Sequence, residues 1–368
     1  MNKMILSNLL HRPVRSLITV IAVALEVTLI LLMVGLATGI LEDGRERQQG
    51  MGADVIVRPP GSSYGFTLTG APVSIKVADV LRKLPHVNVV APIVLQLTVV
   101  GGLPEVIYGI DVNTFEELGG PFRFLSGGTY QGPYDVLVDD YFASSHHVKV
   151  GATIEVLNHS FRISGIVQHG RGARKFLQMH TLQELIGAEG KASVFYLKLD
   201  DPNNAGPVVQ EVQSTEGMQN WIVQSMREYL SLMTVNNLPA LSAFIGVVIG
   251  VAVAIGFMVI FQAMYTAVAE RTREIGILKS LGASRMYITN VILRETVLLA
   301  VIGIGLGIAI SYTARAIIVN RIPTLRVVVP QGWIGYTILI AIVGAILGAI
   351  YPALKAARKD PIDALAYE

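Results

Sequence analysis

Four long stretches of the chain carry almost no charge, and they decide what kind of fold this sequence can adopt. The hydrocarbon core of a bilayer is about 30 Å thick, so a helix needs about 20 apolar residues to cross it. Charged residues make up only 15% of the chain, against about 25% in soluble domains. The four stretches are Leu17–Leu41, Ala240–Ala269, Thr296–Ala314 and Trp333–Leu354. They predict a membrane α-helical protein with four transmembrane helices rather than a soluble or a disordered chain.

The spacing of these stretches gives a domain organisation. We predict transmembrane helices at residues 17–41, 239–269, 289–318 and 333–354. Residues 42–238 have ordinary soluble composition and are predicted to form an extracytoplasmic domain inserted between helices 1 and 2. The remaining parts are a cytoplasmic N-terminal amphipathic segment at 1–16, a cytoplasmic helix at 270–288, an external loop at 319–332 and a cytoplasmic tail at 355–368.

The basic residues near the stretches predict the orientation, because Lys and Arg concentrate on the cytoplasmic side of membrane helices. Four crossings put both termini on one side, and that side then holds eleven basic residues, against three near the loop at 319–332. The eleven are Lys3, Arg12, Arg15, Arg271, Arg273, Lys279, Arg285, Arg294, Lys355, Arg358 and Lys359. Both termini are therefore predicted to be cytoplasmic.

The inserted region is predicted to be an α+β domain. Short runs of β-branched residues, separated by Gly, Pro and Asn, are typical of strands. The run from Thr153 to Val167 predicts a hairpin with its turn near Asn158. Strands are predicted at 53–59, 87–100, 105–110, 134–138, 153–157, 161–167 and 193–199, and helices at 77–83, 181–186 and 207–216.

The segment at 270–288, ERTREIGILKSLGASRMYI, combines alternating charge with an apolar face. Ile275, Ile277, Leu278 and Leu281 recur at helical spacing. Gly282 is predicted to end this helix, and Ser284 to cap the next one. Such a helix suits docking into a groove of a partner protein, or anchoring on lipid headgroups.

Glu26 is the single charge inside the first stretch, where a carboxylate costs about 3 kcal/mol on insertion scales. It is a candidate for contact with a substrate or for gating, or it is a structural residue that is protonated or hydrogen-bonded. In a dimer, two copies of Glu26 could share a proton.

Glycines four residues apart let membrane helices approach closely, either within the chain or between two copies. They are the helix-packing candidates Gly35, Gly39, Gly246, Gly250, Gly344 and Gly348.

No catalytic residues and no metal ligands are predicted. The chain has no cysteine, which excludes disulfides and thiol catalysis. Its seven histidines show no compact ligand spacing. A net charge of +2 gives no reason to expect a nucleic-acid partner. The basic run from Gly170 to Lys175 (GRGARK) is predicted to be a solvated loop, with contact to anionic lipid or an acidic substrate as the alternative.

Three parts of the sequence resemble the MacB/FtsX/LolC-type ABC transporter permeases. They are the segment ERTREIGILKSLGAS, the C-terminal run YPALKAARKDPIDALAYE and the N-terminal run NLLHRPVRSLITVIAVAL. Within the inserted region, GADVIV and VGATIEVLNHSFRISGIV are also similar to that family. The resemblance covers essentially the whole chain and matches the family's order of one span, an external domain and three spans.

The resemblance implies a permease subunit in the inner membrane that transmits force and has no ATPase site of its own. No G-x-x-x-x-G-K-[ST] motif is present, which agrees with this. ATP and Mg would be bound by two copies of a separate ATPase chain, and this chain would need no cofactor. The implied partners are that ATPase, a second copy of the permease, membrane lipids and, as an open choice, a periplasmic adaptor or lipoprotein.

The resemblance also assigns roles to residues of the segment at 270–288. Contact with the ATPase is expected from Glu270, Arg271, Arg273, Glu274, Ile275, Gly276, Leu278, Lys279 and Gly282. The expected function is ATP-driven export or extraction of a hydrophobic or amphipathic molecule from the periplasm or the outer leaflet. The alternative is a non-transporting, FtsX-like regulator that activates an extracytoplasmic partner, and the substrate itself stays open.

Overall fold

The computed structural model describes residues 13–62, 70–100 and 103–359, which form two compact units. The helical unit contains the described residues up to Gly39, Pro239–Asn320, and the described residues from Val327 onwards. The inserted unit contains Ile40–Leu238 and Arg321–Arg326. Most of the predicted N-terminal segment and of the predicted tail, with parts of the terminal motifs, lie outside the described residues.

The helices within the described residues are α1 (Pro13–Gln49), α2 (Val77–Leu81), α3 (Val112–Gly119), α4 (Asp140–His146), α5 (Met179–Ile186), α6 (Ala205–Ser214), α7 (Met226–Leu232), α8 (Pro239–Glu270), α9 (Thr272–Ser280), α10 (Arg285–Arg321) and α11 (Gln331–Arg358). Two short 3₁₀ turns, Pro202–Asn204 and Val235–Asn237, accompany them. Four of these helices, α1, α8, α10 and α11, are long and apolar enough to cross a membrane.

Within the described residues, helix α1 spans Pro13–Gln49, well past the apolar stretch that predicted it. The extension beyond Leu41 is charged, and Asp43 and Arg47 pair across one helical turn at 3.1 Å. Such an i,i+4 pair supports the helix, so α1 continues as a polar helix after its apolar part ends.

The core of the helical unit contains side chains from all four long helices, including Val23 and Val27 of α1 and Ile260 of α8. Helix α11 contributes small residues at every fourth position, Ala341, Ala345, Ala349 and Ala353, and all four are fully buried. Small residues let helix backbones approach closely, and close packing replaces the hydrophobic effect inside a bilayer. This alanine series also packs between helices, although only glycines were predicted to do so.

The inserted unit is built on a mixed ten-stranded sheet. Its strands are β1 (Val55–Arg58), β3 (Val87–Val100), β4 (Leu103–Ile110), β5 (Phe124–Gly127), β6 (Asp135–Asp139), β7 (Thr153–Val156), β8 (His159–Val167), β9 (Lys175–Gln178), β11 (Val194–Leu199) and β12 (Ile222–Ser225). Two further short strands, β2 (Val73–Ser74) and β10 (Lys191–Ala192), pair separately. The strand order is β12-β1-β11-β3-β4-β9-β6-β8-β5, with β7 on β8. Among the strand pairs that the structure describes, only β4–β9 and β6–β8 are parallel.

Both faces of this sheet are buried, because neighbouring residues of one strand enter different core clusters. Tyr196 packs in the cluster that contains α3 and α7 residues, whereas Phe195 packs with α2 and α6 residues. Successive side chains of a strand point to opposite faces. The same alternation places Val136 and Val138 in a third cluster, with residues of α4 and α5. The fold class, four membrane-type helices with an α+β domain after the first, is therefore as predicted.

Candidate functional site

The predicted cytoplasmic segment at 270–288 is one short helix, a turn and the start of α10. Helix α9 ends at Ser280, and Gly282 follows with a φ of 94°, a conformation that glycine adopts without strain. The Ser284 hydroxyl accepts a hydrogen bond from the backbone N–H of Tyr287 at 3.2 Å. The predicted helix end at Gly282 and cap at Ser284 are confirmed, and α10 begins directly after this cap, at Arg285.

The inner face of α9 is packed against the same chain. Thr272 and Gly276 are buried, and Ile275 packs onto a small cluster of Val268, Ile288, Ala356 and Ala357. Ile275 was predicted to contact a partner, together with Leu278. Ile275 is only half-buried by this packing, so its contact with a partner stays a prediction.

Lys279 is also used within the chain. Its ammonium group donates hydrogen bonds to the backbone carbonyls of Ala357, at 3.1 Å, and Lys359. The last carbonyls of a helix have no intrahelical partner and carry partial negative charge. Lys279 therefore caps the C-terminal end of α11, and Lys359 donates in turn to the Thr272 hydroxyl at 3.3 Å.

A buried ion pair joins the start of α9 to α10. Arg271 donates to both carboxylate oxygens of Glu295, at 3.0 and 3.3 Å, and both side chains are largely shielded from solvent. Beside this pair lies a cavity of about 60 Å³ between α8, α9 and α10, whose lining includes Leu278 and Tyr287. Arg271 and Lys279 thus fix α9 to α10 and α11, so the three helices form one connected junction.

The outer side of this junction carries an exposed apolar surface. We name Ile277, Leu281, Met286 and Tyr287 the apolar edge; Leu281 and Met286 are 80% and 79% exposed. Arg273 and Glu274 are exposed as well and provide charge of both signs. Of the residues predicted to contact a partner, Arg273, Glu274 and Gly282 are exposed, Glu270 also lies on the surface, and Leu278 is half-buried. Met286 and Tyr287 were missed, because they follow the glycine that ends the predicted helix.

Glu26 lies inside the helical unit, 5% exposed, where α1 faces α8 and α11. A Cβ at Gly256 would overlap its Oε2 atom, and a Cβ at Gly344 would lie 4.0 Å from its Oε1 atom. Oε1 is buried and has no hydrogen-bond partner among the described residues. Two glycines therefore provide the space that this carboxyl group occupies, and its role in substrate contact or gating stays a prediction.

The predicted helix-packing glycines fall into different environments. A Cβ at Gly348 would lie 3.1 Å from the Phe257 carbonyl on α8, and Gly35 accepts a backbone hydrogen bond from Val328 at 2.9 Å. Gly39 is buried. Gly246 and Gly250 are exposed, and no described residue comes within 4 Å of the position of a Cβ at either glycine. In the described part of the chain, these two glycines therefore form a surface on α8 that another helix could approach closely.

The basic run from Gly170 to Lys175 is neither solvated nor free to bind a ligand, contrary to both interpretations of its sequence. Arg171 donates to the Gly120 carbonyl at 2.7 Å, and its guanidinium lies over the ring of Phe115. Lys175 is buried and pairs with Glu105 at 2.8 Å. Arg174 is 11% exposed and pairs with two carboxylates. All three cations are structural, because each finds an acceptor far away in the sequence.

The last turn of α1 is fixed to the sheet by a buried hydrogen-bonded chain. The Tyr196 hydroxyl donates to Gln48 Oε1 at 2.9 Å, and Gln48 Nε2 donates to the Tyr108 hydroxyl at 3.0 Å. Burial raises the pKa of both tyrosines, so both hydroxyls stay protonated at neutral pH. The end of α1 is therefore an integral part of the inserted unit.

Four membrane-type helices with an α+β domain inserted after the first define a class of polytopic membrane proteins, and comparison with known proteins gives the family. The model of the MacB-like periplasmic core domain matches residues 16–215, more than half of the chain, and that of the FtsX-like permease C-terminal domain matches residues 246–361. The chain belongs to this MacB/FtsX-like family of ABC transporter permeases.

Individual relatives agree with this assignment. The chain is 29% identical over 223 residues to the uncharacterized ABC transporter permease YknZ of Bacillus subtilis (strain 168), covering 59% of this chain and 55% of that protein. It is 23% identical over 387 residues to the macrolide export ATP-binding/permease protein MacB of Shewanella sp. (strain W3-18-1), covering 97% of this chain and 59% of that protein. The chain thus spans somewhat more than half the length of these relatives.

Among solved structures, the periplasmic region of MacB from Actinobacillus actinomycetemcomitans aligns with 50% of this chain and 94% of its own length. The TM-score is 0.39 and the sequence identity 17%.

Proposed function

We propose that this chain is the permease of an ATP-driven system that moves a hydrophobic or amphipathic molecule out of the periplasm or the outer membrane leaflet. ATP and Mg would be bound by ATPase domains outside these 368 residues, in two copies, since the sequence has no Walker A motif. This chain would transmit force and need no cofactor of its own. Its inserted domain would be periplasmic, and its α9 junction would face the cytoplasm.

The observation that carries this proposal is the apolar edge on the α9 junction. Exposed large apolar side chains rimmed by charges are typical of protein–protein contact sites. Ile277 lies on α9, which Arg271 fixes to α10 and Lys279 to α11, and Met286 and Tyr287 lie on α10 itself. A force applied at the edge would therefore reach two of the four spanning helices, α10 and α11.

A second copy of the permease is the partner we propose for the exposed face of α8. Gly246 and Gly250 leave that face without side chains, so another helix could approach its backbone closely. The family implies a dimer, and this surface is where we place its helix contact.

The test replaces two side chains of the apolar edge with charged ones. We expect the combination Ile277→Asp and Leu281→Asp to leave a folded permease that no longer retains its ATPase during purification from native membranes. Loss of such anchors commonly costs about 2 kcal/mol or more, which weakens binding more than tenfold. Retained ATPase is measured by mass spectrometry and by ATP hydrolysis in nanodiscs.

The matched control makes the same chemical change elsewhere. Leu97 and Val99 are also exposed, but they lie on β3 of the inserted domain. Leu97→Asp combined with Val99→Asp should leave ATPase retention unchanged. Equal retention in both double variants would show that the apolar edge only contacts lipid, and the proposal would fail.

A further inference from the structure

Arg174 lies in the basic run from Gly170 to Lys175, and its side chain connects three separate parts of the inserted unit. One guanidinium nitrogen, Nη1, pairs with Asp139 Oδ2 at 3.1 Å. The other, Nη2, pairs with Asp43 Oδ2 at 3.0 Å and also donates to the backbone carbonyl of Thr324 at 3.0 Å. The planar guanidinium can serve several acceptors at once, which a lysine ammonium does with less geometric control.

The three acceptors belong to different elements. Asp43 lies near the end of α1, and Asp139 ends β6 and caps α4 through a hydrogen bond from the Phe142 N–H at 2.7 Å. Thr324 lies in Arg321–Arg326, which directly follows the last residues of α10 and precedes α11. The chain connections of α1, α10 and α11 to the inserted unit therefore converge on one side chain.

The surroundings of Arg174 hold it in this position. The Tyr141 ring lies 5.5 Å from its guanidinium carbon, and Asp139 accepts with 3% of its side chain exposed. Asp43 also pairs with Arg47 at 3.1 Å, and Glu46 pairs with Arg326. A largely buried charge that loses its partner is left uncompensated, so Asp139 depends most on Arg174, whereas Asp43 keeps its pair with Arg47.

We propose that Arg174 is a positioning residue that makes the Arg321–Arg326 segment move together with α1 and the sheet. This inference rests on the proposed function, because it supplies the point at which motion of the spanning helices would enter the periplasmic domain. A purely structural ion pair would stabilise the domain as a whole. A positioning residue should instead control the segment selectively and leave the sheet intact.

The experiment measures hydrogen–deuterium exchange on the full chain in lipid nanodiscs without nucleotide. In Arg174→Gln, the amides of residues 321–326 are expected to exchange about tenfold faster, while amides of β6 and β9 keep their protection. Arg174→Lys should give an intermediate increase, because a lysine retains the charge but cannot reach all three acceptors in the same geometry.

The control variant is Arg162→Gln. Arg162 also pairs with an aspartate of β6, at 3.0 Å from Asp135, but it contacts neither α1 nor the Arg321–Arg326 segment. Exchange at 321–326 should stay at the wild-type rate in this variant. Unchanged exchange at 321–326 in Arg174→Gln would overturn the proposal, and so would an equal increase across the whole sheet.

Two further measurements keep the result interpretable. If Arg174→Gln does not fold, Asp43→Ala removes only one acceptor and should still accelerate exchange at 321–326; no acceleration there overturns the proposal. Adding MgATP to the complex isolated from native membranes tests the proposed function separately. Wild-type exchange that does not respond to MgATP contradicts force transmission, while the nucleotide-free comparison still decides the role of Arg174.

Discussion

Gly256 provides the space for the Glu26 carboxyl group, so adding a single methyl group at this glycine tests whether the carboxyl group occupies that space. Gly256→Ala would place a Cβ onto Glu26 Oε2, so the side chain or a helix must shift. Overpacking of this kind costs about 1–3 kcal/mol. We expect a lower thermal unfolding midpoint in detergent.

Gly305→Ala is the matched control for that change, because Gly305 lies in the spanning helix α10 and no described residue comes within 4 Å of its Cβ position. Its unfolding midpoint should be no lower than that of the wild type, since alanine favours a helix over glycine. In addition, Glu26→Ala combined with Gly256→Ala should recover part of the lost stability, because the colliding atoms are gone. A Gly256→Ala protein as stable as Gly305→Ala would mean that Glu26 is not confined as the structure shows.

Asp139 predicts a pH dependence of stability. Burial raises its pKa to about 6, and the nearby Asp140 acts in the same direction, while Arg174 and Arg47 oppose the shift. The folded state then binds a proton that the unfolded state releases at lower pH, so the free energy of unfolding falls as pH rises from about 4 to 6. The contribution is at most about 3 kcal/mol, at 1.36 kcal/mol per pKa unit.

The variant Asp139→Asn isolates this contribution. Its thermal midpoint, measured from pH 4 to pH 7 beside the wild type, should fall less steeply with rising pH. Parallel curves for the two proteins would show that Asp139 does not change its protonation between the folded and unfolded states in this range.

The prediction for a whole secondary-structure element concerns helix α9 and its attachment to the end of α11. Lys279→Gln removes the ammonium group that caps α11, so two backbone carbonyls lose a charged donor. Hydrogen bonds to charged groups contribute about 1.5–3 kcal/mol. We expect amides near residues 355–359 to exchange roughly tenfold faster or more, as this energy implies.

Arg273→Gln serves as the control, because Arg273 lies on the same helix with an exposed side chain. Exchange near the end of α11 should not change in that variant. If Lys279→Gln also leaves exchange unchanged, then the packing of Ile275 and Gly276 alone holds α9 against α11.

The elements show which parts of the fold can be predicted from sequence. The four spanning helices follow from hydropathy, and the hairpin of β7 and β8 from its turn, where Leu157 and Asn158 both have positive φ. Helices α3, α4 and α7 were missed, and so were strands β2, β5, β9, β10 and β12. Strand β9 opens with the charged Lys175, which is buried because Glu105, seventy residues earlier, neutralises it.

The sequence predicted which segment forms the candidate site, but only partly which of its residues are exposed. Periodicity identifies an apolar face on α9, yet it cannot say whether the chain itself or a partner covers that face. Ile275 is half-buried against the chain itself and Ile277 is exposed, although both fit the same pattern. Likewise, the acceptors of Arg174 lie 131 and 150 residues away for Asp43 and Thr324, a distance that no local pattern encodes.

At the scale of the whole molecule, the orientation of the chain in the membrane is the prediction on which the others depend. The proposed function requires the apolar edge to face the cytoplasm, where an ATPase works, and the inserted domain to lie outside. The distribution of basic residues predicts this orientation. The absence of cysteine from the sequence makes it directly testable with single introduced thiols.

Two exposed serines are suitable reporters. Ser144 lies on α4 of the inserted domain, and Ser280 is the last residue of α9. A membrane-impermeant maleimide applied to intact cells whose outer barrier has been permeabilised should label Ser144→Cys and leave Ser280→Cys unlabelled. Lysis should then make position 280 reactive, since its side chain is exposed on the protein. Thr296→Cys, fully buried in α10, should stay unlabelled in both conditions until the protein is denatured.

Labelling of position 280 before lysis, with position 144 protected, would place the apolar edge outside the cell, and no cytoplasmic ATPase could then drive this permease through it.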